Sequence, residues 1–115
     1  MVIIQQLKDR IENLDHKNNV YVSLKPLQNN GFIRFGIAKI SKTPTGLELM
    51  IERGISETKT IKNLKIMLGE CKYEDNIGYI LIEKIDDIYR GGGIDGFQII
   101  DGHLYLTSIL FPRIV

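Results

Sequence analysis

Residues 3–52 align with residues 60–109 at a constant offset of 57 positions and without a gap, so one pattern is written twice in this chain. Ile4, Leu7, Leu24, Gly36, Leu47 and Leu49 meet the identical residues Ile61, Leu64, Leu81, Gly93, Leu104 and Leu106. Lys8, Asn19 and Ile37 are matched by Lys65, Asn76 and Ile94, and Ile11, Val20, Phe32 and Ile40 by the related Leu68, Ile77, Tyr89 and Phe97. These matches fall where an apolar face or a turn needs them. A half of this length standing alone would bury only about 60 % of its unfolded surface and be marginal. The two copies are therefore expected to share one core, in a single domain spanning 1–115. A repeat constrains architecture far more than chemistry.

Each copy opens with helical spacing. Ile4, Leu7, Ile11 and Leu14 recur at intervals of three and four, which puts them on one helix face, and Ile61, Leu64, Leu68 and Cys71 repeat the stripe. Thr58 or Thr60 is placed to cap the second helix through its hydroxyl. Val20, Val22 and Leu24 then alternate with Tyr21 and Ser23, the period of a strand covered on one face. Ile77 to Ile82 is richer in apolar residues, as a more central strand would be. The turn residues before Phe32 and at Thr43-Pro44-Thr45-Gly46 delimit two further strands, 32–40 and 47–52, and Asp101-Gly102 marks a tight hairpin into 104–110.

Helices that precede runs of hairpin-connected strands segregate to one side of a sheet. The expectation is an α+β fold: a tandem αβββ repeat forming one pseudo-twofold domain, with a mainly antiparallel sheet of six strands and two helices on one face. Two packed three-stranded sheets are the second choice. Residues 53–59 are too few and too mixed in character for a flexible interdomain linker.

The helix Thr60-Ile61-Lys62-Asn63-Leu64 with Leu68, followed by Ile77-Gly78-Tyr79-Ile80, resembles a module of small uncharacterised proteins of bacteria and their phages. The resemblance covers each half. It implies the helix-then-strands fold and an origin on a mobile element, and it carries over no catalytic residue.

Charge and cysteine content narrow the setting. Lys and Arg exceed Asp and Glu by eight to six in residues 1–57 and fall short by seven to eight in 58–115, so neither half is strongly charged. A sequence pI near 7.8 argues against nucleic acid as the default partner. The single cysteine, Cys71, excludes an intramolecular disulfide framework, and no stretch is long and apolar enough to span a bilayer. The opening Met1-Val2-Ile3-Ile4-Gln5-Gln6 lacks the pattern of a secretion signal. A cytoplasmic protein of bacterial or viral origin is expected, with no membrane association.

Several constellations invite chemistry. Gly91-Gly92-Gly93-Ile94-Asp95-Gly96 satisfies the dinucleotide pattern G-x-G-x-x-G, but that motif needs a following helix to present amides to a pyrophosphate, and Phe97-Gln98-Ile99-Ile100 reads as a strand. A bulged hairpin segment is the favoured reading. A ligand site of Arg90, Gly91, Gly92 and Gly93, in which backbone amides hold an anion, is the alternative. Asp86, Asp87, Asp95 and Asp101 make the second half's loops acidic, and His103 follows Asp101 closely. With no second ligand-spaced histidine, solvated turns outweigh a metal or acid–base site. His16 reads as a helix-end residue and Cys71 as a small buried hydrophobe. No cofactor, metal or catalytic group is indicated.

The remaining feature is a difference between the copies. Ile66 lies nearly opposite the apolar stripe of the second helix, where the first copy has Asp9. Lys59, Lys62 and Lys65 gather near the start of that helix, where its dipole gives cations no help. Lys62, Lys65 and Ile66 are thus the expected partner-binding residues. The apolar run from Ile109 to Val115 is a candidate cover for a sheet edge or a homodimer contact. The leading expectation is a small non-enzymatic protein-binding module. The resemblance extends this to a phage-encoded inhibitor of a host defence protein. A nucleotide or small-ligand binder using residues 91–96 and a structural homo-oligomer are the alternatives.

Overall fold

Ile4, Leu7 and Ile11 form the wholly buried side of the first helix, α1 (Ile4–Ile11). The computed structural model describes residues 4–26, 31–53, 55, 57–72, 75–83 and 88–110. After α1 come the strands β1 (Val20–Pro26), β2 (Ile33–Thr43) and β3 (Gly46–Glu52). The second helix, α2 (Ile61–Leu68), buries Ile61, Leu64 and Leu68 in the same manner. It leads to β4 (Asn76–Glu83), β5 (Ile88–Gly93), β6 (Gly96–Ile100) and β7 (His103–Leu110). Both helices end one turn before the apolar stripe does. The Leu14 and Cys71 amides still donate to the carbonyls of Ile11 and Leu68 at 3.1 and 3.0 Å, and both side chains pack against the core.

The strands alternate as one-sided strands must. Val20, Val22 and Leu24 of β1, Leu49 and Ile51 of β3, and Leu104 and Leu106 of β7 are fully buried. They join the helix residues in one apolar cluster, so both helices pack on the same, inner side of the sheet. Truncating such a residue costs about 2–5 kcal/mol, because the lost transfer energy is joined by a cavity that only partly collapses.

The sheet has seven strands in the order β5-β4-β3-β2-β1-β7-β6. Four of the six strand pairings are antiparallel, as expected of a mainly antiparallel sheet, and the expected six-stranded arrangement differs in two respects. First, β1 runs parallel to β7 and β3 parallel to β4, giving a mixed sheet. Parallel neighbours need a crossover rather than a hairpin, and α2 supplies it between β3 and β4. Second, the stretch expected as one middle strand in the second half is two strands, β5 and β6. They are separated by Ile94 and Asp95, whose amides donate to the carbonyl of Ile77 beside β5 and of Thr107 beside β6, each at 2.9 Å. The chain changes partner at that point, and the outermost strands of the sheet are consecutive in sequence. The sheet therefore curls until its two edges meet. Ser108 fastens the seam by donating to the Gly93 carbonyl, and the Tyr79 hydroxyl donates to the Ile109 carbonyl at 3.0 Å.

The pairings recur 57 positions on. Tyr21 opposite Gly36 has its counterpart in Gly78 opposite Gly93, and Ile40 opposite Leu49 in Phe97 opposite Leu106. The parallel pairs correspond as well, Val20 with Leu104 and Ile77 with Leu47. Two turns need special backbone. Gly46, at φ 146°, passes so close to Asn76 that a Cβ would overlap the Asn76 carbonyl. Asp101 and Gly102, at φ 52° and 81°, form the tight hairpin expected between β6 and β7.

The halves differ where β1 and β2 diverge. The Thr58 hydroxyl accepts from the Ile37 amide at 2.7 Å and donates to the Val20 carbonyl at 2.6 Å. Lys59 adds two backbone bonds, to the Ile37 carbonyl at 3.1 Å and from the Val20 amide at 2.9 Å. The chain thus wedges itself into the ladder. In the second half the equivalent amide, on Ile94, reaches the Ile77 carbonyl directly.

Candidate functional site

The outer face of α2 is set by its ends and its buried side. Thr60 is the N-cap: its hydroxyl accepts from the Asn63 amide at 3.5 Å, and Asn63 Oδ1 in turn accepts from the Thr60 amide at 3.0 Å. This reciprocal cap fixes where the helix starts. Of the two candidate threonines, Thr60 is the cap and Thr58 is the wedge. With Ile61, Leu64 and Leu68 turned inward, the helical repeat turns Lys62 and Ile66 outward.

Ile66 is 58 % exposed. Its counterpart Asp9 is also exposed, but it accepts a bond from Gln5 Nε2 at 2.9 Å, an ordinary polar pairing on a helix surface. Lys62 is exposed and forms no ion pair among the described residues. Lys65 is already engaged: its Nζ donates to the Glu12 carbonyl at 2.8 Å and lies 3.2 Å from His16 Nε2. It ties α2 to the chain leaving α1. His16 sits in the turn between α1 and β1, beside a lysine rather than a reacting group.

Ile66 borders a groove of about 220 Å³ between α2 and β2. Ile40 and Met67, both packed on the core, give the groove an apolar floor, and Lys39 and Lys59 stand at its sides. Neither lysine has an ion pair among the described residues. The arrangement suits an apolar side chain carried between carboxylates.

The glycine-rich segment is built differently from a phosphate loop. Gly91, Gly92 and Gly93 lie inside β5, paired with Ile80, Tyr79 and Gly78. Positive φ among the described residues is confined to Gly46, Asp101 and Gly102, so these glycines do not curl into an amide nest. Gly92 serves packing, since a Cβ there would lie 3.0 Å from the Tyr79 ring. A shallow cleft of about 430 Å³ runs along the segment, and the chain continues into strand β6 rather than a helix. The Arg90 side chain, Asp86, Asp87 and residues 111–115 lie outside the described residues.

His103, Asp101, Asp75 and Cys71 have structural roles. His103 Nδ1 accepts from the Asn19 amide at 2.9 Å, which leaves the ring proton on Nε2 in the neutral form. Asp101 is spent on the hairpin turn. Asp75 accepts from the Lys72 amide at 2.9 Å and pairs with Lys42 Nζ at 3.5 Å. That amide bond holds its carboxyl below the usual carboxylate range against the opposing effect of burial, with the Lys42 charge adding to the lowering. Burial pushes the Cys71 thiol up, with Lys42 opposing, so it stays protonated at neutral pH. Among the described residues no group of three His, Cys, Asp or Glu side chains is placed to hold a metal ion.

A second cluster had no signal in the sequence because its two tyrosines, Tyr21 and Tyr105, are 84 residues apart. On the outward face of β1, β2 and β7, the Tyr21 and Tyr105 rings lie 5.2 Å apart, and His103 meets Tyr21 edge-on at 6.3 Å. The Arg34 guanidinium sits 4.6 Å over the Tyr21 ring. Asn19 Nδ2 donates to the Tyr21 hydroxyl at 2.8 Å. Beside Tyr21 is a cavity of about 450 Å³, floored by Gly36 and walled by Ile55, Glu57 and Thr58. Parallel pairing of Tyr21 with Tyr105 creates the cluster, and that pairing is invisible in the alternation of either strand.

No protein-family model, curated protein or solved structure matches this chain.

Proposed function

We propose that the protein is a small non-enzymatic binding module that acts by occupying another protein through the outer face of α2. The observation that carries this reading is Ile66, exposed at 58 % beside a groove with an apolar floor and two unpaired lysines. A large aliphatic side chain held in water on a rigid helix costs transfer free energy that a partner recovers. The partner surface that fits is an apolar side chain flanked by Asp or Glu. Lys62 extends the cationic border, while Lys65 holds the helix in place. Inhibition of a host protein, including one of a phage-defence system, is the form of this activity that the sequence resemblance suggests.

We also read the chain as a tandem duplication in one domain. The recurrence of every quoted ladder pair 57 positions on supports this, as do the matching helix limits. Duplication gives the function a simple basis, because one copy keeps the scaffold while the other alters its surface.

The test is an amide NMR titration with a synthetic peptide of one leucine between glutamates. The reading expects shifts at Ile66, Met67, Lys39 and Lys59, lost in Ile66→Asp. Shifts elsewhere, or none, would count against it.

A further inference from the structure

The acidic residues of the sheet are segregated. The adjacent strands β2, β1, β7 and β6 contain no Asp or Glu and carry Lys25, Arg34, Lys39 and Lys42, whereas β3 carries Glu48 and Glu52. The overall charge of +1 conceals this. We propose that the outward face of β1, β2 and β7 binds single-stranded nucleic acid, with one base beside Tyr21 and the adjoining phosphates on Arg34 and Lys25.

Four observations converge on that face. Tyr21 and Tyr105 form a continuous aromatic surface, and Phe32, 57 % exposed, lies just before β2. Bases stack on such surfaces whatever their identity, because every base has a π-face, and the incoming base takes the place of the Arg34 guanidinium over Tyr21 as that side chain swings to a phosphate. Arg34 is bound only through the Tyr21 ring and has no hydrogen-bond acceptor among the described residues, so its N–H groups are free for phosphate. Ile55 packs over Gly36, the residue opposite Tyr21, and the cavity of about 450 Å³ that they line beside Tyr21 is within the range of small-ligand sites. At its rim the Glu57 carboxylate has no partner among the described residues, whereas the Thr58 and Thr60 hydroxyls are engaged. An unpaired carboxylate there selects a base with an exocyclic amino group, cytosine above all, over thymine. A duplex hides its base faces, so this surface discriminates against it. The cavity beside Tyr21 shares no lining residue with the groove at Ile66, and the inference stands apart from the protein-binding reading.

The experiment is fluorescence anisotropy with labelled oligo-dC, oligo-dT and a hairpin duplex at about 50 mM salt, where weak non-specific binding is still measurable. The proposal expects micromolar binding of oligo-dC, weaker binding of oligo-dT, and weaker still of duplex. Tyr21→Ala should weaken oligo-dC binding about 5- to 150-fold, as loss of one stacked base does, while Tyr21→Phe retains it. Arg34→Glu, on an exposed side chain, should weaken binding and flatten its salt dependence, and decides the matter if Tyr21→Ala fails to fold. Glu57→Ala should erase the preference for dC. No binding up to about 100 µM, duplex bound as tightly as single strands, or wild-type affinity in Arg34→Glu would overturn the proposal.

Discussion

Helices α1 and α2 present the same buried side and opposite outer sides. Ile4, Leu7 and Ile11 face the core from one, Ile61, Leu64 and Leu68 from the other, all with essentially no exposure. Outward, Asp9 bonds Gln5 in water, while Ile66 stands bare beside a lysine-edged groove. A buried position is held by the volume around it, since a change of one methylene is felt throughout a close-packed core. An outward position is free to change, so the difference between the helices appears on the side where a partner could read it. The comparison separates residues that build the scaffold from those that, on the proposed reading, meet a partner.

The shared side gives the largest expected effect. Leu7→Ala and Leu64→Ala should each lower unfolding free energy by about 2–5 kcal/mol in urea melts, because both open a cavity in one common core. A large loss at one site with almost none at the other would break the equivalence of the helices.

The next effect concerns the point where the halves diverge. Thr58→Val keeps the shape of the side chain but removes the hydroxyl between the Ile37 amide and the Val20 carbonyl. Leaving buried groups unpaired costs about 1–3 kcal/mol, so calorimetry should show a lowered Tm, with Thr58→Ser retaining most of the stability. An unchanged Tm in Thr58→Val would mean that β1 and β2 close on each other directly, as Ile94 and Ile77 do. Thr60→Ala removes the cap of α2 and should cost about 1 kcal/mol, visible as faster amide exchange in the first turn of that helix alone.

Asp75 supplies a pH test. Its carboxyl is held below the ordinary range by the Lys72 amide and by Lys42, so its contribution is complete above the unfolded pKa. That contribution is lost as pH falls through the folded pKa. Acid titration of stability should therefore be less steep in Asp75→Asn than in the parent. Identical acid profiles would show that the pairing adds nothing.

The parts of this fold legible in the sequence are those set by a single element meeting the core. The stripe Ile61, Leu64 and Leu68, the alternation of Val20, Val22 and Leu24, and the Asp101-Gly102 hairpin each follow from local geometry. The parallel neighbours were not legible, since alternation tells which face of a strand is buried and says nothing about which strand lies beside it. The division of the middle strand at Ile94 was hidden for the same reason: both halves of it read as strand. Thr58 passed for a possible helix cap because a hydroxyl near a helix start carries the same signature as one inserted in a ladder. The outward position of Ile66 was legible from the helical wheel, but its groove was not, as Lys39 and Ile40 come from a strand distant in sequence.

Ile66→Asp carries the smallest expected effect on stability, within about 0.5 kcal/mol, since the side chain is exposed and away from special backbone. It also tests the central claim most directly. Parent protein, Ile66→Asp and Asp9→Ile, matched for Tm, would be immobilised and used to capture proteins from candidate host lysate, with quantitative mass spectrometry and elution by the leucine–glutamate peptide. The account predicts a protein retained by the parent and by Asp9→Ile, absent from Ile66→Asp, and displaced by the peptide. Identical captures by the parent and Ile66→Asp would contradict it.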